Sequence, residues 1–347
     1  MSLRAAVATA IQFTGEEIPY SCIQVDNGRI RAMTSERGCD LPCGEVPAIA
    51  AAVSGDPLRK MLSALGDGAV KLSMAKGRKL QIEGAGVRYH IQAIPPNNEW
   101  EFPKPPRKWV RVNADTIEVL TYIERLADDQ GAMAGVYCDH TRAVAGNFRQ
   151  VAIAYAPVVN RPIRVPVGFF KGLAGACKFS TDGRVLWVET DNGALRWTRL
   201  LAADFPIAAI DQMVTVVRAL PGRFEANVEF EQVAKLATQA QAINEGRVDF
   251  CRLAFNGAQL TLEGGSPSSK WGATDFKGSI SIGSQGVAAI GTTGLDLQRV
   301  STVLAQLPRP HRMALAPVDG AVLDMWAGQA VIVECLIVPA GRNDDGT

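Results

Sequence analysis

Few residues of this chain are arranged for covalent chemistry. The 347 residues include seven cysteines and three histidines. Cys39 and Cys43 have a spacing that metal ligands use, but a structural zinc site takes about four ligands and the histidines are scattered. Gly84-Ala-Gly86 lacks the third glycine of a dinucleotide-binding motif, and Ser266 lacks the second glycine of the Gly-x-Ser-x-Gly pattern of a nucleophilic serine. We therefore expect no catalytic residue, no metal and no cofactor.

The bulk composition is that of an ordinary folded protein. Hydrophobic residues make up 47% of the chain and charged residues 20%, and the formal net charge is +1. Nucleic-acid binding would therefore need a local basic surface. The sequence has no secretory signal pattern and no apolar run of the roughly 18 residues that span a bilayer. Together with cysteines that lie in apolar stretches, these features predict a reduced, cytoplasmic protein without membrane contact.

One hairpin pattern occurs three times along the chain. Gly77, Gly183 and Gly320 are turn glycines, and each is followed by large apolar residues three and five positions later. The apolar pairs are Leu80 and Ile82, Leu186 and Val188, and Leu323 and Met325. Because strand side chains alternate between faces, each pair lies on one face of a strand. The chain therefore contains an internal repeat.

Helical periodicity accompanies each copy of the hairpin. Apolar residues three and four positions apart predict helices over residues 3–11, 113–128, 166–178, 227–241 and 295–307, and a further helix that begins at Asp56. Strand-like stretches lie between them, including one hairpin around Asn27-Gly28 and another around Asn256-Gly257. Each unit thus contains two helices and two sets of strands, an α+β fold with helices packed on antiparallel sheets.

Breaks in the pattern predict three domains and a tail. Residues 100–112 contain three prolines and predict an extended linker, and Leu220-Pro221-Gly222 marks a second break. We therefore place domain 1 at residues 1–106, domain 2 at 107–220 and domain 3 at 221–341, followed by a flexible polar tail at 342–347.

This order of units resembles the bacterial DNA sliding clamp, the DNA polymerase III beta subunit. The resemblance covers nearly the whole chain, with the best stretches at residues 53–95, 144–158, 240–262 and 336–339. It implies a homodimeric ring of six domains that encircles double-stranded DNA, without catalytic activity. It also implies partners, a DNA polymerase and a clamp loader, that bind through clamp-binding peptides. The chain lacks the usual first strand of the family, which indicates a divergent member of the kind encoded by phages or mobile elements.

The resemblance assigns the basic residues opposite the apolar helix stripes to the DNA-facing surface. They are Arg4, Arg59, Lys60, Arg125, Lys171, Lys178, Lys235 and Arg299. Glutamates and aspartates lie on the same helices, so the predicted lining is only mildly basic. Solvated surface charges are the alternative interpretation of these residues.

Two protein-binding surfaces follow from the same resemblance. The partner-peptide cleft corresponds to Phe148, Arg149, Val151, Leu336, Val338, Pro339 and Ala340. Arg149 and Gln150 replace a histidine and an arginine of the family pattern, so the peptide preference is expected to differ. The dimer interface corresponds to Tyr89 and Ile91 in one chain and to Ala242 and Ile243 in the other. Packing within the sheet cores is the alternative for both surfaces.

Two other functions remain open from the sequence. The altered cleft and mild charge also fit a clamp-fold scaffold that docks proteins without encircling DNA. An unrelated enzyme with a repeated α+β fold would require a polar pocket with perturbed ionisable groups.

Overall fold

The computed structural model describes residues 1–94, 102–147, 150–202, 204–218, 224–227, 232, 235–236, 238–239, 250–256, 259–269, 272–281, 290–296, 312–315, 321–327 and 331–337. The helices are α1 (Leu3–Ala10), α2 (Gly55–Ala64), α3 (Ala114–Ile123) and α4 (Ile207–Arg218). The strands are β1 (Cys22–Asp26), β2 (Arg29–Met33), β3 (Arg37–Pro42), β4 (Ala50–Ser54), β5 (Lys71–Ala75), β6 (Lys79–Gly84), β7 (Val87–Gln92), β8 (Val110–Val112), β9 (Val136–Cys138), β10 (Ala143–Asn147), β11 (Gln150–Tyr155), β12 (Ile163–Val165), β13 (Cys177–Thr181), β14 (Val185–Thr190), β15 (Leu195–Arg199), β16 (Phe224–Asn227), β17 (Phe250–Asn256), β18 (Gln259–Ser269), β19 (Gly272–Ser281), β20 (Ile290–Asp296), β21 (Arg312–Leu315), β22 (Ala321–Ala327) and β23 (Val331–Ile337). Within the described residues, no helix is long and apolar enough to cross a membrane.

The chain divides into two compact units. The first comprises residues 1–112 and 174–200, and the second comprises residues 113–173 and 201–347. The first contains an eight-stranded antiparallel sheet in the order β4-β1-β2-β3-β15-β14-β13-β8 and a three-stranded sheet in the order β5-β6-β7. The second contains an eight-stranded sheet in the order β12-β9-β10-β11-β23-β22-β21-β16 and a four-stranded sheet in the order β19-β18-β17-β20. Both eight-stranded sheets join strands from two predicted domains, so the compact units do not follow the predicted borders, and the division into three domains stays a prediction.

The strand orders contain the threefold repeat. A four-strand group in which the fourth strand pairs with the first occurs as β4-β1-β2-β3, β12-β9-β10-β11 and β20-β17-β18-β19. The second group of each repeat is β7-β6-β5, β15-β14-β13 and β23-β22-β21. β8 extends the middle copy and β16 extends the last, whereas β5 has no such neighbour among the described strands. The missing strand agrees with the departure expected for the first domain.

Local sequence explains the helices and hairpins of the first unit. Ser2 caps α1 by accepting a hydrogen bond from the Ala5 amide, 3.4 Å away. Asn27 and Gly28 both have positive φ, 42° and 78°, as a two-residue hairpin turn requires. α1 and α2 then pack their apolar faces on β1–β4 and β6 in a core of buried side chains that includes Val7 and Leu58.

The predicted linker crosses one face of the eight-stranded sheet of the first unit. Trp187 donates its indole N–H to the Pro103 carbonyl at 3.0 Å, and the Ser180 hydroxyl donates to the Lys108 carbonyl at 2.6 Å. Trp197 lies opposite Gly38 across the β15–β3 junction. A Cβ atom at Gly38 would lie 2.6 Å from the Trp197 indole nitrogen, so this junction requires glycine.

The helix predicted at residues 166–178 does not form. Gly168, Gly172 and Gly175 have φ angles of 87°, 72° and 72°, which interrupt a right-handed helix, and the segment folds as turns before β13 begins at Cys177. The buried carboxylate of Glu124 accepts hydrogen bonds from backbone amides of this segment. It accepts the Phe170 amide at 2.9 Å, and the amides of Gly168, Phe169 and Lys171 also act on it.

The other predicted helices have mixed outcomes. α1, α2 and α3 confirm three of them, with Asn113 as the N-cap of α3. Asn227 ends β16, while the described residues 232, 235, 236, 238 and 239 are helical. Leu295 belongs to β20, so the helix cannot begin there as predicted, and residues 297–307 lie outside the described residues. The sequence prediction did not include α4.

Glu124 should make stability depend on pH. Burial raises its pKa from 4.5 to about 7 despite the backbone hydrogen bonds it accepts. A carboxyl group with a raised folded-state pKa stabilises the fold below pH 4.5, and that contribution is lost as pH rises through 7. Glu124→Gln removes the titration, so we expect a flatter dependence of unfolding free energy on pH, by up to about 3 kcal/mol. Urea unfolding at pH 5 to 8, in steps of about one pH unit, measures this dependence of the unfolding free energy.

The control for this measurement is Glu118→Gln, which changes an exposed glutamate on α3, the helix that ends just before Glu124. It should keep the pH dependence of the wild type. If the unfolding free energy had the same slope against pH in the wild type and in Glu124→Gln, the pKa of Glu124 would not be raised in the folded state.

Candidate nucleic-acid and partner-binding surfaces

The side chain of Arg4 in α1 forms hydrogen bonds at the C-terminal end of α2. Its Nε donates to the Leu62 carbonyl at 3.2 Å, and an η nitrogen donates to the Gly68 carbonyl at 2.9 Å. These oxygens lie at and beyond the C-terminal end of α2, where carbonyl groups lack helical partners and carry partial negative charge. Arg4 therefore joins α1 to α2, and less of its charge is available to a ligand.

The two basic residues of α2 share one acidic partner. Arg59 and Lys60 each lie 2.7 Å from an oxygen of Asp56, one turn earlier in the helix. Hydrogen bonds from Lys60 and then Arg59 lower the Asp56 pKa. All three side chains are about half exposed or more, at 49%, 71% and 52% for Arg59, Lys60 and Asp56. Asp56 thus offsets part of the positive charge on this surface.

The structure distributes the remaining predicted cations over different elements. Arg125 is exposed and stacks over the Tyr122 ring, with 5.1 Å from the guanidinium carbon to the ring centroid. Lys171 lies in the turns that replace the predicted helix. Lys235 is a helical residue with an exposed side chain. Arg299 lies outside the described residues.

Lys178 is on a strand, so its prediction as a helix residue is wrong. It occupies β13 and lies 3.5 Å from Glu189 on β14. Its neighbours Cys177 and Phe179 are buried on the opposite face of the sheet. The glycines that prevent the helix therefore leave Lys178 on a sheet and not on a helix.

The candidate partner cleft is described only in part. Phe148, Arg149, Val338, Pro339 and Ala340 lie outside the described residues. Val151 pairs with Leu336 across the β11–β23 junction. The Val151 side chain is buried, 2% exposed, in a cluster with Tyr137, Val144 and Ile153. The strands that carry the described cleft residues, β11 and β23, are therefore adjacent.

α4 covers this cluster. Ile210 and Val214 of α4 belong to it, and Phe205, just before α4, stacks on Tyr137 with ring centroids 5.4 Å apart. The spacing of Ile207, Ile210 and Val214 after Pro206 is a signal that could have identified α4 from the sequence.

An ion pair borders the same contact. Arg142, in the β9–β10 hairpin, donates to both oxygens of Asp211 in α4, at 2.5 and 2.9 Å. Asp139 fixes the hairpin by accepting the amides of Thr141 and Arg142 at 2.7 and 2.9 Å. Burial opposes ionisation of Asp139, but the hydrogen bonds from Thr141 and Arg142 prevail and lower its pKa. Sequence reasoning missed this set because its members lie up to 72 positions apart.

The candidate dimer strand β7 is at an edge. β7 pairs with β6 on one side and with no other described strand on the other. Tyr89 is partly buried, and Ile91 is buried in the core of its own unit. Val87, by contrast, is 43% exposed. Ala242 and Ile243 lie outside the described residues.

Within the described residues, no group of three or more histidines, cysteines, aspartates or glutamates is placed to hold a metal. Burial raises the pKa of the Cys39 thiol to about 12 and that of Cys177 to about 11. Neither thiol would supply a thiolate nucleophile near neutral pH.

Solved structures share this fold over nearly the full chain. The DNA polymerase beta subunit of Streptococcus pyogenes matches with a TM-score of 0.76 at 12% identity, over 97% of each chain. The DNA polymerase III beta subunit of Thermotoga maritima matches with a TM-score of 0.73 at 14% identity, over 98% of this chain and 97% of that chain. The Helicobacter pylori beta clamp bound to a DNA ligase peptide matches with a TM-score of 0.74 at 14% identity, over 97% of each chain.

These similarities lie in structure and not in sequence. No protein-family model matches the sequence, and no curated protein matches it. Identities of 12–14% over almost complete chains establish the fold. The chain therefore has the fold of the bacterial DNA sliding clamp, the DNA polymerase III beta subunit.

Proposed function

We propose that this protein is a DNA sliding clamp, a homodimeric ring that encircles double-stranded DNA and tethers a polymerase. The observation that carries the proposal is that β7 and β19 each have a neighbour on one side only among the described strands. Unpaired strand edges expose main-chain donors and acceptors, and proteins pair or cover them.

The repeat identifies which edges belong together. β3, the third strand of the first group, pairs with β15, the last strand of the next repeat. β11 pairs with β23 in the same way. The next equivalent pair is β19, the third strand of the third four-strand group, with β7, the last strand of the first repeat. A second chain supplies this pairing, and two such junctions close a ring of two chains.

The modest charge of the helices suits a ring that moves along DNA. Charge-based contacts with phosphates are independent of sequence, and tight ones would hold the protein at one place. The Asp56 pairs and the carbonyl contacts of Arg4 leave the helices weakly basic. A closed ring is retained by topology, so weak attraction is sufficient.

We further propose that the surface near Val151 and Leu336 receives peptides of polymerase and clamp-loader partners. The Helicobacter pylori clamp with its bound ligase peptide supports peptide binding as the mode of recognition. The protein acts without catalysis in the reduced cytoplasm, which agrees with free, buried cysteines such as Cys22, Cys39 and Cys138.

A scaffold that docks proteins without encircling DNA is the second candidate. The neutralised cations of α2 and the covered Val151 surface favour it. The ring and the scaffold differ in one respect that can be measured, which is retention on DNA without free ends.

The first prediction concerns ring closure. Val87→Glu places a charge on the free edge strand β7, where it would oppose pairing with another chain. We expect the variant to sediment at the 37.1 kDa mass of one chain, whereas the wild type sediments at twice that mass. Met74→Glu is the matched control because Met74 is 41% exposed on β5, at the opposite edge of the same sheet. If the Val87→Glu variant remained a dimer, the interface would have to lie somewhere other than β7.

The second prediction concerns encirclement. Chains cross-linked in the presence of a circular plasmid should co-elute with it in gel filtration at about 1 M salt, where charge attraction is screened. Cutting the plasmid once should release the protein. Equal retention on circular and linear DNA, or equal loss from both, would refute the ring.

The third prediction concerns the charge of α2. Asp56→Asn frees Arg59 and Lys60, so binding to linear duplex should strengthen several-fold at low salt. The slope of log affinity against log salt should steepen by about one. Glu83→Gln is the control, since it frees Arg88 on the three-stranded sheet. No change in the salt slope of Asp56→Asn would exclude α2 from the DNA surface.

A further inference from the structure

We propose that the outer edge of β5 is a docking site for an extended segment of a partner protein, in which apolar residues alternate with aspartate or glutamate. The site is distinct from the surface near Val151 and from the β7 edge. It goes beyond the proposed clamp function, because it follows from the repeat and from contacts within the first compact unit.

The repeat shows what kind of element fits this edge. β13 begins the second strand group of the middle repeat, and β8 pairs with it in antiparallel orientation. β16 pairs with β21 in the same way in the last repeat. β5 is the equivalent strand of the first repeat, and β6 is its only neighbour among the described strands. The position beside β5 therefore fits one short antiparallel strand.

The two faces of β5 have different chemistry. Leu72 and Met74 pair with Ile82 and Leu80 of β6, so they lie on the face that packs into the core of the first unit. Leu72 is 4% exposed, whereas Met74 is 41% exposed. Lys71 lies on the opposite face, because side chains alternate along a strand. A strand beside β5 thus places its apolar side chains next to Met74 and its alternate side chains next to Lys71.

The charge around the edge selects acidic residues for those alternate positions. Residues 71–92, which hold β5, β6 and β7, contain five lysines and arginines and one carboxylate. That carboxylate, Glu83, pairs with Arg88 at 3.1 Å. The other four cations are exposed and form no ion pair with a described carboxylate: Lys71, Lys76, Arg78 and Lys79. Opposite charges on neighbouring strands stabilise their pairing, so a strand with aspartate or glutamate fits this edge best.

The same features favour a partner peptide over the other candidates. A nucleic acid would meet the cations, but it would neither continue the main-chain ladder of β5 nor cover Met74 with an apolar side chain. A second copy of β5 would bring Lys71 towards another lysine-rich edge. Lysines on an edge strand oppose that kind of self-pairing. An acidic, extended segment of a different protein meets the main chain, Met74 and the cations together.

A synthetic peptide tests the site. We expect a fluorescent peptide with Val-Glu-Val-Glu-Val at its centre to bind the full-length chain saturably. A peptide with Val-Val-Val-Glu-Glu should bind about tenfold more weakly, because only the first peptide separates its apolar and acidic residues onto two faces. Hydrogen exchange should show new protection of amides at residues 71–75. Equal binding of the two peptides, or no new protection in β5, would overturn the proposal.

Substitutions on each face of β5 locate the peptide. Met74→Glu and Lys71→Glu should each weaken binding about tenfold, since both place a carboxylate against the acidic peptide. Ile18→Glu is the control for the first, because Ile18 is 76% exposed in a turn outside the sheets. Lys104→Glu is the control for the second, because Lys104 is exposed in the linker. Both controls should bind the peptide as the wild type does. Lys71→Glu decides the question if Met74→Glu fails to fold.

Other occupants of the edge would give different results. A single-stranded oligonucleotide that bound more tightly than the peptide, without protecting the β5 amides, would make this a nucleic-acid surface. A Met74→Glu variant that sedimented at half the wild-type mass would assign the edge to a second copy. Either result would overturn the proposal. Peptide binding requires neither duplex DNA nor a ring, so its failure is distinct from failure of the clamp function.

Discussion

The pairing of strand edges is the constraint on which the rest of this structure depends. Every main-chain donor or acceptor left unpaired and buried costs about 1–3 kcal/mol, so a sheet edge must meet another strand, water or a cover. The chain meets this requirement twice through β3 with β15 and β11 with β23. Both junctions join strands far apart in sequence, and both follow the same rule of the repeat. The rule leaves one complementary pair of edges, at β19 and β7, that a single chain does not join in its described residues, and the proposed ring joins them through a second chain.

Side chains reinforce the β3–β15 junction on both faces. On one face Trp197 lies against Gly38, and the linker at residues 102–109 lies along the same sheet face through Trp187. On the other face Cys39 is paired with Arg196, whose guanidinium lies 5.6 Å from the Phe13 ring centroid. The border between the first two repeats is therefore packed on both sheet faces, whereas the sequence suggests only a proline-rich linker.

The features that could be predicted from the sequence are local. Hairpins at Asn27-Gly28, Gly77 and Gly183 follow from turn chemistry, and α1, α2 and α3 follow from apolar periodicity. Residues 166–178 have the same periodicity, but their glycines adopt positive φ and the distant carboxylate of Glu124 satisfies the freed amides. Likewise, the candidate cations could be found opposite the apolar stripes, whereas the carbonyl partners of Arg4 depend on packing between helices. Periodicity identifies a buried face, but it does not show which conformation or which distant group completes it.

Charge and closure are alternative ways to keep a protein on DNA, and the proposed ring relies on closure. Binding by charge requires free cations whose counterions are released, and its strength falls steeply with salt. Here Asp56 pairs with two of the predicted cations, Arg4 binds carbonyl groups, and Lys178 lies on a strand. A scaffold without DNA would also tolerate these losses, but it would not need free edges at the two positions that the repeat pairs. The same weak lining that argues against an open DNA-binding protein is therefore compatible with a ring, because a ring is held by its junctions.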